Sequence, residues 1–344
     1  MTRQTTAAFA LSTLAAVLLA ACSPAEQKAA APAASPASGE QSAAPVAEAK
    51  KIAITAIVEH PALDAVRKGV LDELKAKGYE EGKNLTVDFQ SAQGSTANAA
   101  QIAKKFAGDN PDVIVAIATP SAQSVVAATK TIPIVYAGVT DPVAAKLVPS
   151  WEASHTNVTG VSDELPLEPQ IDLMKKIVPT VKNVGYVYSP GEVNSTTVLE
   201  QLKAKLEPQG INVVAAPAQR SSDVLTAARS LNGKVDLLYT SLDNNVVSSY
   251  ESMYKASVEM KKPLVASDTD SVTRGAVAAL GVNYYDLGKK TGDVVFQVLN
   301  GKKAGDIPSA RMENLDLIVS KKNAADSGVS LSEAILAEAK EVKE

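Results

Sequence analysis

Hydrophobic positions along the chain alternate between two spacings. Ile52-Ala53-Ile54-Thr55-Ala56-Ile57-Val58 is a short, nearly unbroken apolar run, the pattern of a strand covered on both faces. Leu63, Val66, Val70, Leu71 and Leu74 then fall at helical spacing, and Lys77-Gly78 supplies the basic last turn and glycine stop. The alternation continues: strand Leu85–Phe89, helix Ala97–Phe106, strand Val113–Ala118, helix Ala122–Ala128, strand Ile132–Tyr136. Strands separated by helices in this order predict a doubly wound parallel sheet.

The order then repeats. Strand Asn183–Tyr188, helix Thr197–Leu206, strand Ile211–Ala215, helix Val224–Leu231, strand Val235–Tyr239, helix Val246–Met260 and strand Pro263–Ala266 form a second set. Strand Ala276–Leu280, helix Leu287–Leu299, strand Leu315–Val319 and an amphipathic helix Leu331–Val342 follow. The expected fold class is α/β, with two Rossmann-like lobes joined by a three-segment hinge. The crossings are expected near Val158–Pro166, Gly281–Tyr285 and Pro308–Asn314. Residues 51–161 with 284–311 would make one lobe, and 162–283 with 312–344 the other.

The first 50 residues differ. Arg3 precedes an apolar run, Ala7 to Ala21, that ends in Leu19-Ala20-Ala21-Cys22. Fifteen helical residues reach only roughly 22 Å, short for a bilayer span. The segment reads as a secretory signal over 1–21, with Cys22, the chain's one cysteine, as a lipidated first residue. Residues 22–50, rich in Ala, Pro and Ser, would be a disordered tether. This places the protein in a bacterial cell envelope, held to the membrane by its lipid alone.

Composition removes several function classes. Lys+Arg 34 against Asp+Glu 38 gives a net charge of −4, without the basic excess that nucleic-acid binding needs. Aromatics are 4% of residues, so the core must be Val, Ile, Leu and Ala. Two histidines and one cysteine exclude a transition-metal site of several such ligands. There is no GxGxxG and no GxSxG, and the Gly281–Thr291 stretch has the wrong spacing for a phosphate loop. No cofactor is expected.

Ligands of open α/β sheets sit beyond the carboxyl ends of the strands. Those positions carry Glu59-His60-Pro61, Thr119-Pro120-Ser121-Ala122, Thr140-Asp141, Glu192 with Asn194-Ser195, Asp243-Asn244 and Asp268. Thr119-Pro120-Ser121 combines a capping hydroxyl with a proline fitted to a first helical turn, whose free N–H groups suit a carboxylate. Asp141, Asp243 and Asp268 are candidates for a ligand ammonium, or caps. Glu192 would reach the same amine or lie in solvent. Tyr284 and Tyr285 could floor a flat apolar side chain, and Trp151 could stack on a ligand or anchor a loop. His60 beside Glu59 suggests an acid/base pair without a nucleophile, or a cleft-lining residue.

These residues together carry a resemblance. EHPALD within residues 57–79, ATPSAQ (118–123), VTDPVAAKLV (139–148), YSPGEVNS (188–195), LDNNV (242–246) and GVNYYDLGKKTGD (281–293) resemble the tryptophan/tyrosine-type ABC transporter substrate-binding proteins over roughly residues 52–325. The resemblance implies a class I periplasmic-binding-protein fold, a monomer that closes on an amino acid, often aromatic, and partners in a membrane permease and an ATPase. It implies that Thr119, Ser121, Ala122 and Thr140, with Asn194 and Ser195 from the other lobe, meet the ligand's carboxylate. Asp141, Asp243 or Asp268 would take the amine. A sensor module for a membrane receptor, a periplasmic enzyme and a surface adhesin are the rival readings.

Overall fold

The apolar run after Lys50 forms the second strand from the edge of a parallel sheet in the computed structural model of this chain, which describes residues 49–344. The signal segment 1–21, Cys22 and all but the last two residues of the tether 22–50 lie outside the described residues. The expected tether ends one residue earlier than predicted, because Lys50 already pairs with Leu85.

In chain order the elements are β1 (Lys50–Ala56), α1 (Pro61–Ala76), β2 (Leu85–Ser91), α2 (Thr96–Asp109), β3 (Val113–Ile117), α3 (Thr119–Ala128), β4 (Ile134–Ala137) and β5 (Val158–Ser162). Next come α4 (Leu167–Ile177), β6 (Asn183–Tyr188), α5 (Val193–Leu206), β7 (Asn212–Pro217), α6 (Val224–Arg229), β8 (Leu237–Thr240), α7 (Asn244–Ser248), α8 (Tyr250–Met260), β9 (Leu264–Ala266) and β10 (Ala278–Gly281). The last are α9 (Tyr284–Leu299), β11 (Ala310–Arg311), β12 (Asp316–Ser320), α10 (Lys321–Asp326), α11 (Glu333–Glu338) and β13 (Glu341–Lys343).

Two sheets result. The first has the order β11-β5-β4-β3-β1-β2 and is parallel throughout. The second has the order β13-β12-β10-β9-β8-β6-β7, parallel except where β12 runs against β10. The chain passes between them after β5, β10 and β11, so the two lobes share three crossings. Central strands are buried along their whole length, as helices on both faces require.

Several expectations are corrected. The first crossing falls within the expected Val158–Pro166 but only after Val158–Ser162, which is a fully buried strand. Gly160 in this strand faces Tyr136, whose ring and carbonyl leave no room for a Cβ. Gly281 likewise ends β10 against the Ser267 carbonyl. Tyr284 and Tyr285 open α9 instead of lying in a loop, because Asn283 caps the helix through the Asp286 N–H at 3.0 Å. The expected helix 246–260 breaks at Ser249. There the hydroxyls of Ser248 and Ser249 bond to the Asn245 carbonyl, and Arg274 donates to the carbonyls of Val247 and Ser248. The terminal helix is only α11, and Glu341–Lys343 adds a parallel edge strand beside β12. The helix α4 carries no expectation above, although its apolar face is regular.

One contact fixes how the returning chain meets the first lobe. Helix α9 lies against α1 with Gly69 and Gly288 at the crossing, and a Cβ on either would overlap the other helix's backbone. Gly292 repeats the close approach against Val70 and Glu73. The N-terminal ends of α1 and α9 are thereby brought to the same side of the sheet. Gly288→Ala is expected to cost about 1–3 kcal/mol of stability through overpacking. Gly191→Ala, which adds a methyl into open space, stays within about 0.5 kcal/mol. Urea denaturation of both variants checks this, and equal stability would refute the close-packing argument.

Candidate functional site

The carboxyl ends of both sheets face one narrow cavity, whose free volume is about 20 Å³. Its apolar jaws come from opposite lobes. Ala62 and Leu63 project from the first turn of α1, and Leu242 and Val247 from the segment around α7. Leu242 packs against the hydrophobic core of the first lobe, so the lobes are in contact across the cleft.

The polar wall is built from strand ends and helix starts. His60 precedes Pro61 at the head of α1 and is 8% exposed, with Nδ1 unpartnered. Burial, then the positive charge of Arg274, pull its pKa down to about 3, so the imidazole is neutral. Thr119 starts α3 directly from the end of β3. The linking Ala118 adopts φ 72° and ψ 156°, a region that costs a non-glycine residue about 1–3 kcal/mol. Pro120 has no N–H, and the first-turn N–H groups of Thr119 and Ser121 have no acceptor within the helix. Gly138 (φ 63°) and Thr140 follow β4 on the same wall.

Two acids enter this wall. Asp163, just after β5, accepts the Tyr284 hydroxyl at 3.0 Å through Oδ2 and leaves Oδ1 unpartnered. Asp268, after β9, accepts the Asp270 N–H at 3.0 Å and the Ser271 hydroxyl at 2.8 Å. Burial pushes each up to about 6, and for Asp268 the neighbouring Asp270 adds to the rise. Among the described residues lining the cavity there is no lysine or arginine. Two carboxyl groups thus lack a cationic partner, an arrangement suited to an ammonium ligand. Among the described residues no cluster of His, Cys, Asp and Glu is arranged to hold a metal ion.

Of the residues singled out from the sequence, His60, Thr119, Thr140, Asn194, Asn244, Asp268 and Tyr284 line the cavity. The others do not. Glu59 is exposed. Ser121 and Ala122 are wholly buried behind Thr119, the Ser121 hydroxyl without a partner. Asp141 caps the turn after β4, its Oδ1 accepting the N–H groups of Val143 and Ala144. Ser195 is buried within α5, its carbonyl taken by the Tyr186 hydroxyl. Asp243 caps α7 through the Val246 N–H and also accepts the Ser189 N–H and hydroxyl, so both its oxygens are engaged within the second lobe. Tyr285 turns outward to Asp72, at 2.8 Å. Trp151 lies under the Arg311 guanidinium, 3.3 Å from ring centroid to Cζ, away from the cavity.

Glu192 is neither in solvent nor on the wall. It is buried, and burial and the adjacent Asp243 raise it to about 8. The residues that the sequence did not single out are Asp163, Gly138 and the apolar jaws. Asp163 stands in a polar stretch with no motif, and only its position after a strand could have marked it.

The sequence matches the family described as ABC transporter substrate binding protein over residues 51–343. A tyrosine-binding protein of Clostridioides difficile is 42% identical over 272 residues, 79% of each chain. The solved ABC domain from Streptococcus pneumonia in complex with L-Trp is 34% identical, with TM-score 0.82, covering 86% of this chain and 100% of that one. The ligand-free, open structure of a Clostridium difficile substrate-binding protein with adhesive properties is 40% identical, covering 86% and 99%, with TM-score 0.64. More distant ABC solute-binding proteins share the class I periplasmic-binding fold alone. The chain belongs to the ABC transporter substrate-binding protein family, whose members bind solutes and are not enzymes.

Proposed function

We propose that this protein captures an aromatic amino acid of the tyrosine or tryptophan type between its lobes and delivers it, unaltered, to the permease and ATPase of an ABC importer. The observation that carries the reading is the composition of the cavity. Two buried acids without a basic partner face an apolar gap between Ala62, Leu63, Leu242 and Val247. An α-ammonium answers the first feature and a flat apolar side chain the second. The Thr119 hydroxyl and the first-turn N–H groups of α3 suit the carboxylate.

Binding works by closure. The ligand docks on the first lobe, and the second lobe completes its hydrogen bonds with water excluded, which strengthens each of them. Two observations support a closed arrangement here. Leu242 crosses the cleft to the opposite core. The chain also superimposes better on the L-Trp complex than on the open, ligand-free relative, although the open one is closer in sequence. We further propose that the protein acts as a monomer in the bacterial cell envelope, anchored through a lipid on Cys22. No helix among the described residues is long and apolar enough to cross a membrane.

Three outcomes are expected. L-tyrosine or L-tryptophan at about a hundredfold excess over Kd raises stability by roughly 2.7 kcal/mol in a thermal-shift assay. The absence of a shift with every aromatic amino acid would reject the ligand class. The second concerns pH. The folded pKa of Asp163 is raised, so its contribution to stability is full below the unfolded value near 3.8 and is lost as pH rises through about 6. Asp163→Asn therefore stabilises the ligand-free protein on the order of 2–3 kcal/mol at pH 7.5 and far less at pH 4.5. The same variant weakens amino-acid binding about tenfold or more. Melting curves and calorimetric titrations at both pH values check this. Third, Cys22→Ser moves the protein from the membrane fraction to the soluble fraction of its host, and unchanged partitioning would refute the anchor.

A further inference from the structure

The start of α5 and the start of α7 are tied together by one carboxyl group. Glu192 Oε2 accepts Asn194 Nδ2 at 3.0 Å, Asn244 Nδ2 at 2.7 Å and the Asn244 backbone N–H at 3.1 Å. Asn194 Nδ2 also donates to the Leu242 carbonyl at 2.9 Å. An amide nitrogen has two hydrogens, and both are now used. The amide cannot be turned over, because the Leu242 carbonyl only accepts. Asn194 lines the cavity at 4% exposure, and its Oδ1 is left buried without a partner. A buried, unpartnered acceptor on a ligand wall is complementary to a donor on the ligand.

We infer that Glu192 is a positioning residue that holds the Asn194 carbonyl oxygen toward the cavity, so that the second lobe accepts a hydrogen bond from the ligand. This rests on the proposed amino-acid reading and reverses one expectation of the sequence resemblance. Asn194 would not meet the carboxylate, since a carboxylate has no hydrogen to give. The donor is an N–H or O–H of the ligand, and its α-ammonium and its ring N–H or O–H are the two sources. Asn244 is held by the same carboxyl group, so both asparagines at the wall move together with Glu192.

The test has one part that needs no ligand. In side-chain amide NMR of the purified protein, the Asn194 hydrogens are expected to exchange slowly with solvent, unlike those of exposed Asn232. Protection is lost in Glu192→Leu and kept in Glu192→Gln, whose amide oxygen still accepts. Rapid exchange in the unmodified protein overturns the lock, whatever the ligand. The second part compares Kd values for L-tyrosine, its deaminated acid 3-(4-hydroxyphenyl)propionate, and L-phenylalanine. If the α-ammonium is the donor, the preference for L-tyrosine over the deaminated acid falls roughly tenfold in Glu192→Leu and returns in Glu192→Gln. If the ring hydroxyl is the donor, the preference over L-phenylalanine falls instead. Asn194→Ala makes the same prediction should Glu192→Leu fail to fold. Both preferences holding within about twofold of the unmodified protein overturn the inference. If the unmodified protein binds none of the three, nor L-tryptophan, the functional reading falls, and the amide measurement still decides the role of Glu192.

Discussion

The backbone contact between α1 and α9 is the constraint on which the two-lobed form depends. Helix α9 follows β10 of the second sheet yet belongs, by packing, to the first. Gly69, Gly288 and Gly292 let it approach α1 closely enough to seal that return. The same contact puts His60, at the head of α1, and Tyr284, at the head of α9, on one wall. Tyr284 then reaches Asp163 beside the first crossing. A packing feature remote from the cavity therefore sets the position of three groups within it.

The cavity is electrostatically one-sided. His60 is neutral, no basic side chain lines the wall, and burial raises both acids, with Arg274 only partly offsetting the rise at Asp268. Such a wall is costly when empty and less so when a positive group enters. The neighbouring pair Glu192 and Asp243 is arranged differently. Asp243 is fully occupied by Ser189 and Val246, and Glu192 by the two asparagine amides. Two acids thus line the cavity and two lie in the scaffold beside it, although the strand-end positions of all but Asp163 look alike in sequence.

That likeness explains what was legible. The alternation of apolar runs and helical spacing in Ile52–Leu74 or Asn183–Leu206 has a single solution, so the sheets and their flanking helices could be read. Strand ends located Thr119, Thr140, Asn194, Asn244 and Asp268. Asp268 caps a turn as Asp141 and Asp243 do, and what separates it is that folding brings it to the cavity wall, which no local pattern records. Glycine marks both a turn and a place where another residue needs room; at Gly160 it is Tyr136, 24 positions earlier, that decides between them. The break at Ser249 needed Arg274 from a distant segment to satisfy the freed carbonyls. In each case the missing information was a long-range partner.

The position of Trp151 has a practical consequence. It is the only tryptophan in the chain, it lies beneath Arg311 on the short strand β11, and Arg311 is ion-paired at 2.6 Å with Glu164, which follows β5. The indole therefore sits where two of the three connecting strands run side by side, outside the cavity. Light emitted by this single fluorophore therefore comes from the join between the sheets and not from the cavity wall, so its colour reports on the strands that link them.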